Sequence, residues 1–311
     1  MRILILGAGA VGGYFGGRLA EAGRDVTFLV RPARAAVLAE RGLCVTSPLG
    51  DFAVTPQLTT AERLSGPYDV ILLTAKHYDL DQAIAAIGPA VGPGTAVLPL
   101  LNGLVHLDRL ADAFGAEAVL GGVAYVGASL QPDGSVRHHN RLSGIAFGEL
   151  AGGISARIRA IAAEFAGSKV DAPGSDNVML DMWEKFAMIT TMAGMNCLMR
   201  GTIGEIAATD DGAMLTRELF AENQAVAAAA GFGLRPAYVE QIGRMLTEEG
   251  SVNNASMHHD LAHGSRTEAD WILGDMRRRA IAYGVATPLL RAAYAHLQVY
   301  ENRRGAQARA S

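Results

Sequence analysis

The feature that most constrains this 311-residue chain is its opening, Met1-Arg-Ile-Leu-Ile-Leu-Gly7-Ala-Gly9-Ala-Val-Gly12. Ile3 to Leu6 is short and wholly apolar, the pattern of a strand buried on both faces of a parallel sheet. It ends in G-x-G-x-x-G and continues as a helical pattern through Tyr14, Phe15, Leu19 and Ala20. Strand, glycine turn and helix in this order form a dinucleotide-binding fingerprint. Gly7 permits the tight turn, Gly9 lets the backbone approach a pyrophosphate, and Gly12 lets helix and strand pack closely. The first helical turn, Ala10, Val11 and Gly12, points N–H groups at the phosphates.

The next apolar run, 25–30, ends at Arg31, followed by Pro32, Ala33 and Arg34. A site for NAD usually carries Asp or Glu at this distance, to bond the ribose 2′-hydroxyl. A guanidinium instead pairs with a 2′-phosphate, which a carboxylate would repel. NADPH is therefore the expected cofactor, with Arg31 as the main contact and Arg34 as helper. The plainer alternative leaves both arginines as solvated loop residues.

Apolar runs at 2–6, 25–30, 69–74, 95–100 and 118–121 alternate with helical patterns at 11–22, 33–41, 79–90 and 106–114. That alternation predicts an α/β domain built on a doubly wound parallel sheet. Segments 43–46 and 51–56 suggest a small extra hairpin. Residues 122–150, turning at Pro132-Asp133-Gly134, suggest a longer antiparallel one. A helix at 154–166 and a short strand at 169–171 precede a break at Pro173-Gly-Ser-Asp176. Beyond it the patterns are helical: 176–198, 203–207, 210–230, 235–248, 254–262, 266–283 and 287–302. The expected organisation is a domain at 1–172 and an all-α domain at 173–311, with residues 305–311 frayed.

The net charge of −4 and scattered basic residues argue against nucleic acid as the main partner, apart from a short basic tail at Arg303, Arg304 and Arg309. No run of about eighteen apolar residues suggests a membrane span. The N-terminal apolar stretch is too short for a signal peptide. Cys44 and Cys197 fall in different predicted domains and suggest no disulfide framework. A cytoplasmic protein is expected. The C-terminal helix, with Leu289, Leu290, Tyr294, Leu297 and Tyr300, either closes its own domain or builds a homodimer.

Several side chains are candidates for chemistry. Lys76 and Asn102 each follow a predicted strand, where ligands of such sheets gather, although a loop lysine and an Asn-Gly turn are also ordinary. Lys185 lies on a helix apolar on both faces, beside Asp181, Met182, Met188 and Ile189. It either snorkels to water or is held desolvated as a proton donor. Glu268 fits a capping box with Ser265, and Ser256 a simple helix start. His258, His259 and His263 include an i,i+4 pair, but no further metal ligand is evident and no metal is expected.

Taken together the chain resembles the ketopantoate reductase (2-dehydropantoate 2-reductase) family. The resemblance is carried by Gly7-x-Gly9-x-x-Gly12-Gly13, Arg31, Lys76, Leu101-Asn102-Gly103, Trp183-Glu-Lys185, Ser256-Met257-x-x-Asp260 and Thr267-Glu268. Arg277 to Ala280 and Gly284-Val-Ala-Thr-Pro288 follow. It runs nearly end to end. It implies a Rossmann-like domain, a helical domain like that of 6-phosphogluconate dehydrogenases, an active site in the cleft between them, and NADPH-dependent reduction of a small 2-keto acid. Lys185 would be the general acid and Glu268 its orienting partner or a substrate ligand. Ser256 would bind the substrate carboxylate, Asn102 would hold substrate and nicotinamide in register, and Lys76 would contact cofactor or carboxylate. Where relatives carry asparagines beyond the lysine, this chain has Ile189 and Ala193. A third asparagine is replaced by Ile203, Asn196 is nearby but not equivalent, and Asp79 stands where many relatives have Gln. Three readings follow. One is ketopantoate reduction to pantoate, for pantothenate. The second is the same chemistry on a less hydroxylated 2-keto acid. The third is a non-catalytic NADPH-sensing protein.

Overall fold

The computed structural model describes residues 1–310. It forms two compact units: Met1–Leu101 with His106–Met179, and Asn102–Val105 with the chain from Leu180 onward.

The first unit is built on a five-stranded, all-parallel sheet in the order β5-β2-β1-β6-β7. Its strands are β1 (Arg2–Leu6), β2 (Asp25–Leu29), β5 (Gln57–Thr59), β6 (Val70–Leu73) and β7 (Ala96–Pro99). The helices between them are α1 (Ala10–Glu21), α2 (Pro32–Arg41) and α3 (Leu80–Ile87), with α4 (Val105–Phe114) and α5 (Ala156–Glu164) following β7. β6 and β7 are buried at every residue, as strands covered on both faces must be. Leu6 of β1 stands opposite Leu29 of β2 and Leu73 of β6. The chain therefore leaves all three strands at one level, toward the glycine turn, Arg31 and Lys76.

A second sheet, order β4-β3-β9-β8, holds β3 (Leu43–Thr46), β4 (Phe52–Val54), β8 (Leu120–Leu130) and β9 (Val136–Glu149). The small hairpin forms as β3 against β4, but Gln57–Thr59 then joins the parallel sheet beside β2. The run at 118–121 is not a further parallel strand. Only Val119 bridges Val97, and from Leu120 the chain pairs antiparallel with β9. Gly122 permits this switch, since a Cβ there would lie 2.2 Å from the Pro99 carbonyl oxygen. Segment 169–171 makes a single bridge, Asp171 to Gly144, rather than a strand.

The second unit is helical: α6 (Val178–Met199), α7 (Ile203–Ala207), α8 (Gly212–Ala229), α9 (Pro236–Met245), α10 (Ser256–Ala262), α11 (Asp275–Ala282) and α12 (Pro288–Ala310). A π-helical turn, Asp270–Gly274, leads into α11. α12 runs on to Ala310, so residues 305–310 are helical rather than frayed, and Ser311 lies outside the described residues. Leu290, Ala293 and Leu297 are fully buried, and Tyr300 Oη donates to Ser265 O at 2.7 Å. These contacts close α12 onto its own unit. Among the described residues no helix is long and apolar enough to cross a membrane.

Candidate active site

The glycine turn is held from three sides. Gly7 N–H donates to Leu29 O at 2.9 Å, Thr74 Oγ1 donates to Leu6 O at 2.7 Å, and Arg34 Nε and Nη2 donate to Ala8 O at 3.1 and 2.9 Å. Gly7 has φ +94°, a conformation that favours glycine. A Cβ on Gly12 would lie 2.2 Å from Gly7 O and 2.4 Å from Thr74 Oγ1, so only glycine lets α1 sit this close to β1. Gly9 is the opposite case: a Cβ there would meet nothing within 4 Å. Gly9 is also the N-cap of α1, and no side chain caps the helix. The N–H groups of Ala10, Val11 and Gly12 belong to the first turn, which a helix cannot pair internally. An open backbone approach backed by an uncapped helix N-terminus fits a dinucleotide pyrophosphate.

Arg31 is exposed at the end of β2, and its Nη2 lies 3.0 Å from Asp79 Oδ2. Arg34 is a clamp on the glycine turn rather than a second exposed cation, and burial lowers its pKa. Lys76 is half-buried in the turn after β6, three residues before Asp79. His77, the next residue, and His106 are buried, with ring centroids 5.6 Å apart. Burial, then the neighbouring His77, holds the His106 pKa well below the usual range.

In the helical unit, Lys185 sits half-buried on α6, and desolvation lowers its pKa to about 8. Its neighbour Glu184 is turned to Arg235, accepting from both the backbone N–H and Nε at 2.9 Å. Asp181, one turn earlier, accepts from Arg235 Nη2 at 2.5 Å. These bonds fix the rotation of α6. Gly103 has φ +78°, and a Cβ on it would lie 3.3 Å from Trp271 O and 3.5 Å from Phe186 Cε2. The Asn102-Gly103 turn is thus wedged between the residue after Lys185 and the turn that follows Glu268. This wedge sets side by side the chain segments that carry Asn102, Lys185 and Glu268.

Glu268 is 7% exposed and stands one residue before the helical segment that begins at Ala269. Its carbonyl accepts from the N–H of both Trp271 and Ile272. The expected capping box with Ser265 does not form, because the helix starts four residues after Ser265 rather than one. The segment is fixed instead by Glu301, whose Oε1 accepts from Thr267 N at 2.7 Å and Thr267 Oγ1 at 2.8 Å. Ser256 is exposed at the first position of α10, one residue past its cap Ala255. The His259 and His263 rings stack 4.0 Å apart, and His263 Nδ1 pairs with His259 O. Among the described residues no three His, Cys, Asp or Glu side chains gather to hold a metal.

Of the apolar replacements, Ile189 is half-buried, Ala193 is buried, and Ile203 is fully enclosed in a cluster with Ala187, Phe220, Ile242 and Leu246. Asn196 is fully buried with both ends of its amide engaged: Nδ2 donates to Gly201 O at 2.7 Å, and Oδ1 accepts from Ala255 N at 3.0 Å. It holds the loop that presents Ser256. Asn196 is visible in the sequence only as a neighbour of the replaced asparagines. Thr74 and Glu301 carry no sequence signal, because Thr74 bonds Leu6 and Glu301 bonds Thr267, contacts distant along the chain that leave no local pattern.

Two family models match this chain: ketopantoate reductase PanE/ApbA over residues 3–152, and its C-terminal domain over residues 177–301. The chain belongs to the ketopantoate reductase family. A Bacillus subtilis relative described as an uncharacterised oxidoreductase, YkpB, is 36% identical over 301 residues, covering 97% of this chain and 99% of that protein. The crystal structure of a 2-dehydropantoate 2-reductase from Geobacter metallireducens superposes with TM-score 0.87 at 31% identity, covering 96% of this chain and 99% of that one. A D-mandelate dehydrogenase solved with NADH and anilino(oxo)acetate superposes with TM-score 0.88 at 25% identity, covering 98% and 100%. The family is one of oxidoreductases, and this member is an enzyme of that class.

Proposed function

We propose that this protein is an NADPH-dependent reductase of 2-keto acids whose substrate pocket favours a side chain less hydroxylated than that of ketopantoate. The observation that carries the reading is Lys185, with its pKa lowered to about 8 and the Asn102-Gly103 turn wedged beside its neighbour Phe186. When bound at the glycine turn, NADPH supplies the hydride that reduces the ketone carbon. Gly7, Gly9, Ala10, Val11 and Gly12 hold its pyrophosphate, Arg31 its 2′-phosphate, and Lys76 contacts cofactor or substrate carboxylate. Lys185 Nζ donates a hydrogen bond to the ketone oxygen and delivers its proton as negative charge develops there. Glu268 orients Lys185 or accepts from a substrate hydroxyl. Ser256 binds the carboxylate and Asn102 keeps the substrate in register.

The substrate preference rests on polar groups that this chain does not offer. Ile189 and Ala193 have no side-chain donors or acceptors, Ile203 is enclosed in a core cluster, and both ends of Asn196 are engaged within the fold. A buried hydroxyl left without a partner costs about 1–3 kcal/mol. The D-mandelate dehydrogenase neighbour, solved with anilino(oxo)acetate, which carries a phenyl ring and no hydroxyl, supports the same direction. The second reading, reduction of 2-dehydropantoate to pantoate in pantothenate biosynthesis, is favoured by relatives that bear that name.

The test is oxidation of NADPH by the purified protein, followed by dihydronicotinamide absorbance, with ketopantoate and with a panel of 2-keto acids lacking its hydroxyl. Stronger kcat/KM for an apolar keto acid supports the proposed specificity. Efficient turnover of ketopantoate alone gives the assignment to the second reading.

A further inference from the structure

Arg31 does not stand alone at the ends of the strands. Its Nη2 lies 3.0 Å from Asp79 Oδ2 and 3.5 Å from Gln82 Oε1. β2 and β6 flank β1 on opposite sides, so this ion pair reaches across the end of the strand that carries Gly7 and Gly9. The Arg31 side chain is 73% exposed and that of Asp79 33%, so the pair is weak and opens readily. Arg34 is engaged with the Ala8 carbonyl.

The two forms of the adenosine ribose meet this pair differently. A 2′-phosphate has to draw Arg31 away from Asp79 and place its own charge beside a carboxylate. A 2′-hydroxyl donates to that carboxylate, as it does to the acidic residue of NAD sites, and leaves the ion pair in place. We propose that Asp79 is a specificity-determining residue of the cofactor site: it offsets Arg31 and so lets this reductase accept NADH alongside NADPH. The inference rests on the cofactor reading above. Asp79 supplies, from the turn after β6, the carboxylate that NAD sites carry at the end of β2.

The test compares dissociation constants of NADPH and NADH, read from the fluorescence of the bound dihydronicotinamide, in the wild type, Asp79→Asn, Asp79→Ala and Arg31→Ala. Removing the carboxylate is expected to tighten NADPH by about fivefold to tenfold in both Asp79 variants, with NADH unchanged or weaker. A ratio of the two constants that stays within about twofold of wild type overturns the proposal. So does a shift toward NADH, which would mean that Asp79 holds Arg31 in place for the phosphate. Arg31→Ala tests the underlying reading separately: it should abolish the advantage of NADPH. If NADPH binding survives that change intact, the cofactor assignment fails whatever the Asp79 variants do.

Discussion

A lysine that gives up a proton in catalysis must still hold it at the working pH. Burial brings Lys185 down to about 8, close enough to neutrality for efficient transfer while leaving the ammonium form dominant below that value. If Lys185 is the general acid, as proposed, its protonated form is the active one and activity is lost as pH rises. Reduction should be flat below about pH 8 and fall about tenfold per unit above it. Lys185→Ala should lower kcat by ~10²–10⁴-fold, leave NADPH affinity unchanged, and abolish the alkaline fall in the residual rate. A residual rate that keeps the fall would identify another group as the acid. Ile203 and Asn196 are both spent on the fold: Ile203 is enclosed in a core cluster, and Asn196 has both ends of its amide bonded within the chain.

The glycine turn separates two roles that its motif runs together. Gly12 is required by packing, since a Cβ would strike the Gly7 carbonyl and the Thr74 hydroxyl that pins Leu6 O. Gly9 is not required by packing, since the space beyond it is open and its φ of −82° is not left-handed, so on the proposed cofactor reading its glycine serves the ligand. Gly12→Ala should therefore destabilise the protein by about 1–3 kcal/mol in denaturant titrations. Gly9→Ala should unfold like the wild type yet lose NADPH binding. A destabilised Gly9→Ala, or one that binds normally, would contradict this division. Elements that rest on long apolar runs and strict periodicity were legible in the sequence: the central parallel strands, α1 and the helical second half all lie where expected. Gln57–Thr59 was not, because three mixed residues carry no period, and their pairing with β2 is set by tertiary contact. The run at 118–121 was misread because its apolar content fits either sheet, and the choice is made by Gly122 passing Pro99. Ser265 and Glu268 have capping-box spacing by coincidence, since Glu301 ties down Thr267 and the helix begins later. Arg34 was read by its charge, whereas its position on the Ala8 carbonyl decides what it does.

At the scale of the whole molecule the open question is whether the reductase readings or the sensing reading describes the protein, because all of them need the first unit to hold NADPH. Reduction requires more than cofactor binding: it also needs a proton donor, the role proposed for Lys185. Lys185 and Glu268 on fixed elements of the helical unit are what a sensor has no use for. Binding and turnover can be separated by stability. Ligand at about a hundred times its dissociation constant stabilises the folded state by about 2.7 kcal/mol. For units of this size that raises Tm by roughly 5–10 °C. The wild type and Lys185→Ala should show the same NADPH-induced rise, and Arg31→Ala a much smaller one. Only the wild type should oxidise NADPH when a 2-keto acid is added. An equal rise in both proteins with no turnover of any keto acid by either would favour sensing, and would leave Lys185 as a desolvated structural lysine. A rise lost in Lys185→Ala would mean that this residue supports cofactor binding itself, and its proposed role as proton donor would have to be redrawn.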